Sequence, residues 1–69
     1  MSVAKVIEIS ATSPDSFDAA VAEGIRRAAT TVKNIQGAWV KEQQVTVSNG
    51  RIDAYRVNLK ITFLLEGDD

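Results

Sequence analysis

From Gln36 to Leu65 the chain reads QGAWVKEQQVTVSNGRIDAYRVNLKITFLL, and its second half alternates with a period of two. Tyr55, Val57, Leu59, Ile61, Phe63 and Leu65 share one parity, while Arg56, Asn58, Lys60 and Thr62 share the other. That alternation predicts a strand with one apolar and one polar face. Ser48-Asn49-Gly50-Arg51 stands between the two halves, and Asn-Gly supplies the two left-handed residues that a tight hairpin turn needs. A two-stranded ribbon is not stable alone in water, so this one must lie against something else.

The preceding residues offer a strand and a helix. Val3 to Ser10 alternates, with Val3, Lys5, Ile7 and Ile9 opposed to Ala4, Val6, Glu8 and Ser10, which predicts a first strand. Ser13-Pro14-Asp15 then resembles a helix start, with Ser13 as N-cap, Pro14 at the first helical position and Asp15 at the positive end of the dipole. The helix is expected from Pro14 to about Lys33. Phe17, Val21, Ile25, Ala28 and Val32 form one apolar stripe, and Asp18, Glu23, Arg26 and Lys33 lie opposite. Glu23 and Arg27 are spaced as an i,i+4 ion pair, and Asn34 is placed to end the helix. Gly24 costs about 1 kcal/mol relative to alanine inside a helix, so close approach of another backbone is expected there.

In the first hairpin arm Ala38 and Val40 carry the apolar parity, but further along Val45 and Val47 do. A change of phase by one residue predicts a β-bulge near Glu42-Gln43-Gln44. The fold class is therefore α+β, ordered β-α-β-β, a three-stranded antiparallel sheet wrapped around one helix in a single domain over residues 1–69. Glu66-Gly67-Asp68-Asp69 reads as a solvated tail.

One helix covers one face of a sheet. The reverse face, with Gly37, Trp39 and Lys41 from one arm and Arg56, Asn58 and Lys60 from the other, stays open and carries the only tryptophan. An aromatic on such a face serves as an interface anchor or as a platform for a planar ligand. At 69 residues a chain buries too little surface for large stability, and with no cysteine it has no disulfide or thiolate metal site to help. Self-association is the remaining staple. Eight Lys and Arg against nine Asp and Glu give a net charge of -1, which argues against nucleic acid as a partner. No apolar run is long enough to span a membrane and no signal-peptide pattern opens the chain, so cytoplasmic residence is the expectation. With neither histidine nor cysteine, and with Glu8, Glu42 and Asp53 not paired by spacing, an enzyme is not expected. Tyr55 has the apolar parity and is expected in the core.

VIEISATSPDSFDAAVAEGIRRAATTVKNI and AYRVNLKITFLLEG together resemble the dodecins, small flavin-binding proteins, over Lys5 to Glu66. The resemblance implies a hollow homododecamer holding paired flavins at subunit interfaces, each ring between a tryptophan of the second strand and a glutamine of the third. Gly37 falls at the stacking tryptophan's position, and Trp39 lies one strand period on, on the same face and roughly 7 Å away. Arg56 stands at the glutamine's position; it can stack or grip phosphate but cannot accept a hydrogen bond. Leu64 falls where flavin-binding members often carry arginine.

Two functions follow. In the first, the shell sequesters a flavin, riboflavin or FMN, with Trp39 as a displaced stacking platform, Arg56 against a ring edge or phosphate, and Gly37 and Lys41 completing the site. In the second, the same cage is structural, with Trp39 packed on a neighbour and Arg56 paired with a carboxylate such as Glu42. Any bound species would then be an ion such as calcium on a symmetry axis, since calcium prefers converging carboxylate oxygens. The resemblance extends to members that lack the stacking tryptophan and have been described as binding calcium.

Overall fold

The computed structural model describes residues 3–65, so the expected solvated tail lies outside the described residues. The elements are β1 (Ala4–Ser13), α1 (Phe17–Ala28), β2 (Ile35–Ser48) and β3 (Arg51–Leu64), in the anticipated β-α-β-β order. The three strands form one antiparallel sheet in the order β1-β3-β2. β3, the strand with the clearest alternation, is therefore central, and α1 packs mainly on β1 and β3.

The hairpin turn is as expected, with Asn49 at φ 52° and Gly50 at φ 74°. Both are left-handed, which matches the twist of the strands they join. The phase change in β2 is also present, with the register shifting between Val40 and Glu42, so that Lys41 is the extra residue. Further irregularities fall between Ile35 and Gly37 and between Thr46 and Val47. Each adds local bend and twist, which curls the ribbon.

The helix is shorter at both ends than the expected Pro14 to Lys33. Ser13 remains in β1, paired with Tyr55 and buried, and its Oγ accepts from the Asp15 backbone N–H at 3.0 Å. A residue before proline favours extended backbone, and Ser13 obeys that preference instead of capping. Ser16 is the N-cap, with extended φ of -170° and its Oγ accepting from the Ala19 N–H at 2.9 Å. Pro14 and Asp15 thus form the connecting bend. At the other end α1 stops at Ala28, where Thr30 Oγ1 donates to the Arg27 carbonyl at 2.7 Å and the chain tightens into i,i+3 bonds from Thr30 and Thr31. The β-branched run Thr30-Thr31-Val32 resists continuing a helix. Asn34 does adopt left-handed backbone, φ 65°, but it turns the chain into β2 and does not end the helix.

Ala20, Val57, Leu59 and Ile61 are fully buried, with Ile7, Ile9, Phe17, Val21 and Ile25 packed around them. Tyr55 is half-buried, edge-on to Phe17 with ring centroids 5.1 Å apart, as its parity predicted. Gly24 is buried beneath a close approach, made by side chains and not by backbone. A Cβ there would sit 3.1 Å from Ala11 Cβ and 3.2 Å from Leu59 Cδ1. On the exposed side Glu23 pairs first with Arg26, Oε2 to Nη2 at 2.6 Å, and only at 4.0 Å with the expected Arg27.

Two outcomes are expected. In Gly24→Ala the gain in helix propensity is about 1 kcal/mol, but neither the strand-borne Ala11 methyl nor the fully buried Leu59 can yield freely. Overpacking of roughly 1–3 kcal/mol wins, and thermal unfolding should move several degrees lower. The second concerns pH. The hydrogen bond from Arg26, together with the charges of Arg26 and Arg27, holds the Glu23 carboxyl below its ordinary value of 4.5. A depressed folded value means that stability is present above the unfolded value and is lost as pH falls through the folded one. The stability difference between the wild type and Glu23→Gln should thus be full above pH 4.5 and shrink as pH falls through the lowered folded-state value in denaturant titrations, because below it both side chains are neutral.

Candidate functional site on the uncovered sheet face

Residues directly opposite across a strand pair share a face, so the two registers lay out the side of the sheet that α1 does not cover. Val6, Thr62 and Gly37 form one row across the three strands; Glu8, Lys60 and Trp39 the next; then Ser10, Asn58 and Glu42; then Thr12, Arg56 and Gln44. Gly37, Trp39, Arg56, Asn58 and Lys60 are all on the face anticipated for them.

Trp39 is 53% exposed, which leaves its indole open to solvent in the single chain. Beside it, Gly37 offers no wall: a Cβ built there would meet nothing within 4 Å. Lys41, the extra residue of the central bulge, reaches across the sheet so that its Nζ lies 3.3 Å from Glu8 Oε2. Both side chains are close to half exposed, so this pair contributes at most about 1 kcal/mol. Its effect is to fix the lysine over the middle strand, next to the Trp39 row.

Below that row lies a connected set of hydrogen bonds. Asn58 Nδ2 donates to Glu42 Oε1 at 2.8 Å, Ser10 Oγ donates to Asn58 Oδ1 at 2.9 Å, and Arg56 Nε donates to Ser10 Oγ at 3.3 Å. The chain Glu42, Asn58, Ser10, Arg56 touches all three strands. Glu42 and Arg56 stand at its two ends and do not pair directly. Arg56 keeps the other nitrogens of its fork, and Lys60 has no ion-pair partner among the described residues. The face therefore carries two cations that pair with no carboxylate among the described residues.

Of the four nominated residues, the structure brings together Gly37, Trp39 and Lys41 at the start of β2. Arg56 sits two rows from Trp39, roughly 14 Å along the strand. At that separation the two groups do not meet within one chain. Sequence reasoning passed over Ser10 as part of this face's network. Its parity with Glu8 was visible, but its place beside Asn58 depends on a β1 to β3 register that no turn sets. As for a metal, no group of three acidic side chains converges among the described residues, and Glu8 and Glu42 lie on the outer two strands.

Comparison with known proteins bears on this face and on the fold. The family model described as Dodecin matches residues 3–66. A calcium dodecin from Mycobacterium tuberculosis is 43% identical over 63 residues, covering 91% of this chain and 89% of that protein. A crystal structure of a calcium-chelating calcium dodecin from that organism, with a novel calcium-binding site, matches at 40% identity and TM-score 0.81 over 97% of this chain and 96% of the other. A dodecin from Streptomyces davaonensis is 32% identical with TM-score 0.92, covering 96% of this chain and 97% of that one. The calcium dodecin shares more of the sequence, the Streptomyces dodecin more of the backbone path. Matched in sequence over almost its whole length and in chain path throughout the described residues, this chain belongs to the dodecin family.

Proposed function

We propose that this chain is a binding and storage protein, assembled as a homododecamer, that holds a small molecule between copies on the uncovered sheet face. The ligand that the face suits best is a flavin of the riboflavin or FMN type. The observation that carries this reading is Trp39, an open indole on a sheet face that has no helix to cover it. Burying such a ring against a neighbour or a planar ligand removes apolar area from water and adds stacking.

In this reading Trp39 is the platform and Gly37, lacking a side chain, leaves room for the ring or for the neighbour's backbone. Lys41 and Lys60 supply positive charge beside it. Arg56 acts from another copy, its free nitrogens placed for a phosphate fork or for stacking on the ring. The chain has no histidine or cysteine, and no three carboxylates gather among the described residues, which supports a role in sequestration over one in catalysis.

A second reading has calcium as the bound species, and it is favoured by the likeness to calcium dodecin. Glu8 and Glu42 are the carboxylates on the open face, and convergence of several copies would be needed to give the oxygen-rich shell that calcium takes.

Light scattering should find an assembly, and riboflavin or FMN fluorescence should be quenched with saturable stoichiometry. Trp39→Ala should abolish the quenching while the mass of the assembly persists. Assembly without quenching at micromolar flavin would sink the flavin reading. Calorimetric titration with calcium then decides the second: saturable heat that disappears in Glu42→Gln supports it, and no heat removes it. A compact single chain at micromolar dilution would end both.

A further inference from the structure

The hairpin projects beyond the body that covers it. The chain measures 54 × 19 × 13 Å along its principal axes. At its N-terminal end α1 packs Phe17 on Tyr55, and past that point β2 and β3 run on to their turn. Near the tip Val47 and Ile52 stand directly opposite each other, 62% and 54% exposed. An apolar pair on a bare two-stranded ribbon is an unfinished contact. Asp53 flanks it as the residue left without a cross-strand partner by the shift after Thr46, and it makes no ion pair among the described residues.

Elsewhere on the chain is a groove of about 650 Å³ between the free edge of β1 and the second half of α1. Ile9, Ala11, Gly24 and Ala28 supply the apolar part of its lining, serine and threonine residues of β1 and of the chain after α1 line the rest, and Glu23 and Arg27 stand on its helix side. The two charges are not equally engaged. Glu23 gives both oxygens to Arg26, at 2.6 and 3.1 Å, whereas Arg27 lies 4.0 Å from an oxygen already taken. The groove thus presents a cation without a close partner beside the apolar part of its lining, and the tip presents a carboxylate without a partner beside an apolar pair.

We propose that the hairpin tip of one copy seats in the β1/α1 groove of the next, with Val47 and Ile52 on the apolar part of the lining and Asp53 against Arg27. The proposal rests on the self-assembly reading above and gives it a second contact, separate from the uncovered face. Because tip and groove are different patches, the contact is head-to-tail, which is the kind that closes into a ring.

Charge reversal tests it, with native mass spectrometry and light scattering across a dilution series as readouts. Asp53→Arg and Arg27→Glu should each raise the midpoint concentration of assembly by roughly tenfold or more, since like charges then face each other. The double variant should return to within about threefold of the wild type, because the pair is restored with its signs exchanged. Circular dichroism checks that the helix of Arg27→Glu survives. Should it not, Ile52→Ser, remote from α1, must weaken assembly alongside Asp53→Arg. An assembled wild type whose midpoint is unmoved by Asp53→Arg overturns this contact and leaves the assembly reading standing. Single variants that fail without rescue in the double overturn the pairing, and a monomeric wild type overturns both readings.

Discussion

β3 is hydrogen-bonded along both edges and buried along one face, and the rest of the chain is placed relative to it. Val57, Leu59 and Ile61 are its fully buried side chains, closed off by α1, while the residues between them face the other way. Since side chains alternate strictly, a slip of one residue in either neighbour would turn an apolar row outward and a polar row inward. The turn at Asn49-Gly50 protects one register directly. The other has no turn to set it and relies on packing: Ile9 and Ala11 must meet α1 at the place where Gly24 leaves room for them.

A sheet with one helix keeps an open face, and the chemistry of this one lies in what its side chains leave unpaired. Glu8 is held by Lys41 and Glu42 by Asn58, so the carboxylates have partners within the chain. Among the described residues, Lys60 and most of the Arg56 fork do not. Hydrogen bonds this exposed contribute little to stability, and their consequence is orientation: Ser10 and Asn58 hold Arg56 and Glu42 in defined places two and one rows from the Trp39 row. An aromatic ring, a bare glycine position and, further along, cations without a partner among the described residues are what this face exposes.

Backbone likeness to dodecins sharing about a third of the sequence follows from the same physics. What the fold requires is an alternation, an Asn-Gly turn, an amphipathic helix and room at Gly24, and many sequences meet those terms. The outer face is under no such constraint, so relatives can keep the chain path and change what they bind. That is why family membership rests on the match over residues 3–66, while the proposed flavin site rests on Gly37, Trp39, Lys41 and Arg56.

Local rules identified the four elements and their order, the turn, and the position of the bulge to within one residue, because alternation and left-handed turn residues act over a few positions. The parity of β3 alone put Arg56, Asn58 and Lys60 on the open face. Where local rules competed, the sequence misled: Ser13 satisfied every requirement of an N-cap, yet pairing with Tyr55 held it in the sheet and passed the role to Ser16. The stripe ending at Val32 overstated α1 for a similar reason, since amphipathic spacing does not register a threonine side chain that takes a terminal carbonyl. Only the tertiary structure could seat Lys41 on Glu8, link Glu42 to Arg56 through Asn58 and Ser10, and separate Arg56 from Trp39. The contacts of Glu8 and Ser10 join β1 to residues far along the chain through a register that no turn enforces and that packing on the helix settles, while the distance from Trp39 to Arg56 follows from where the bulges shift the hairpin register.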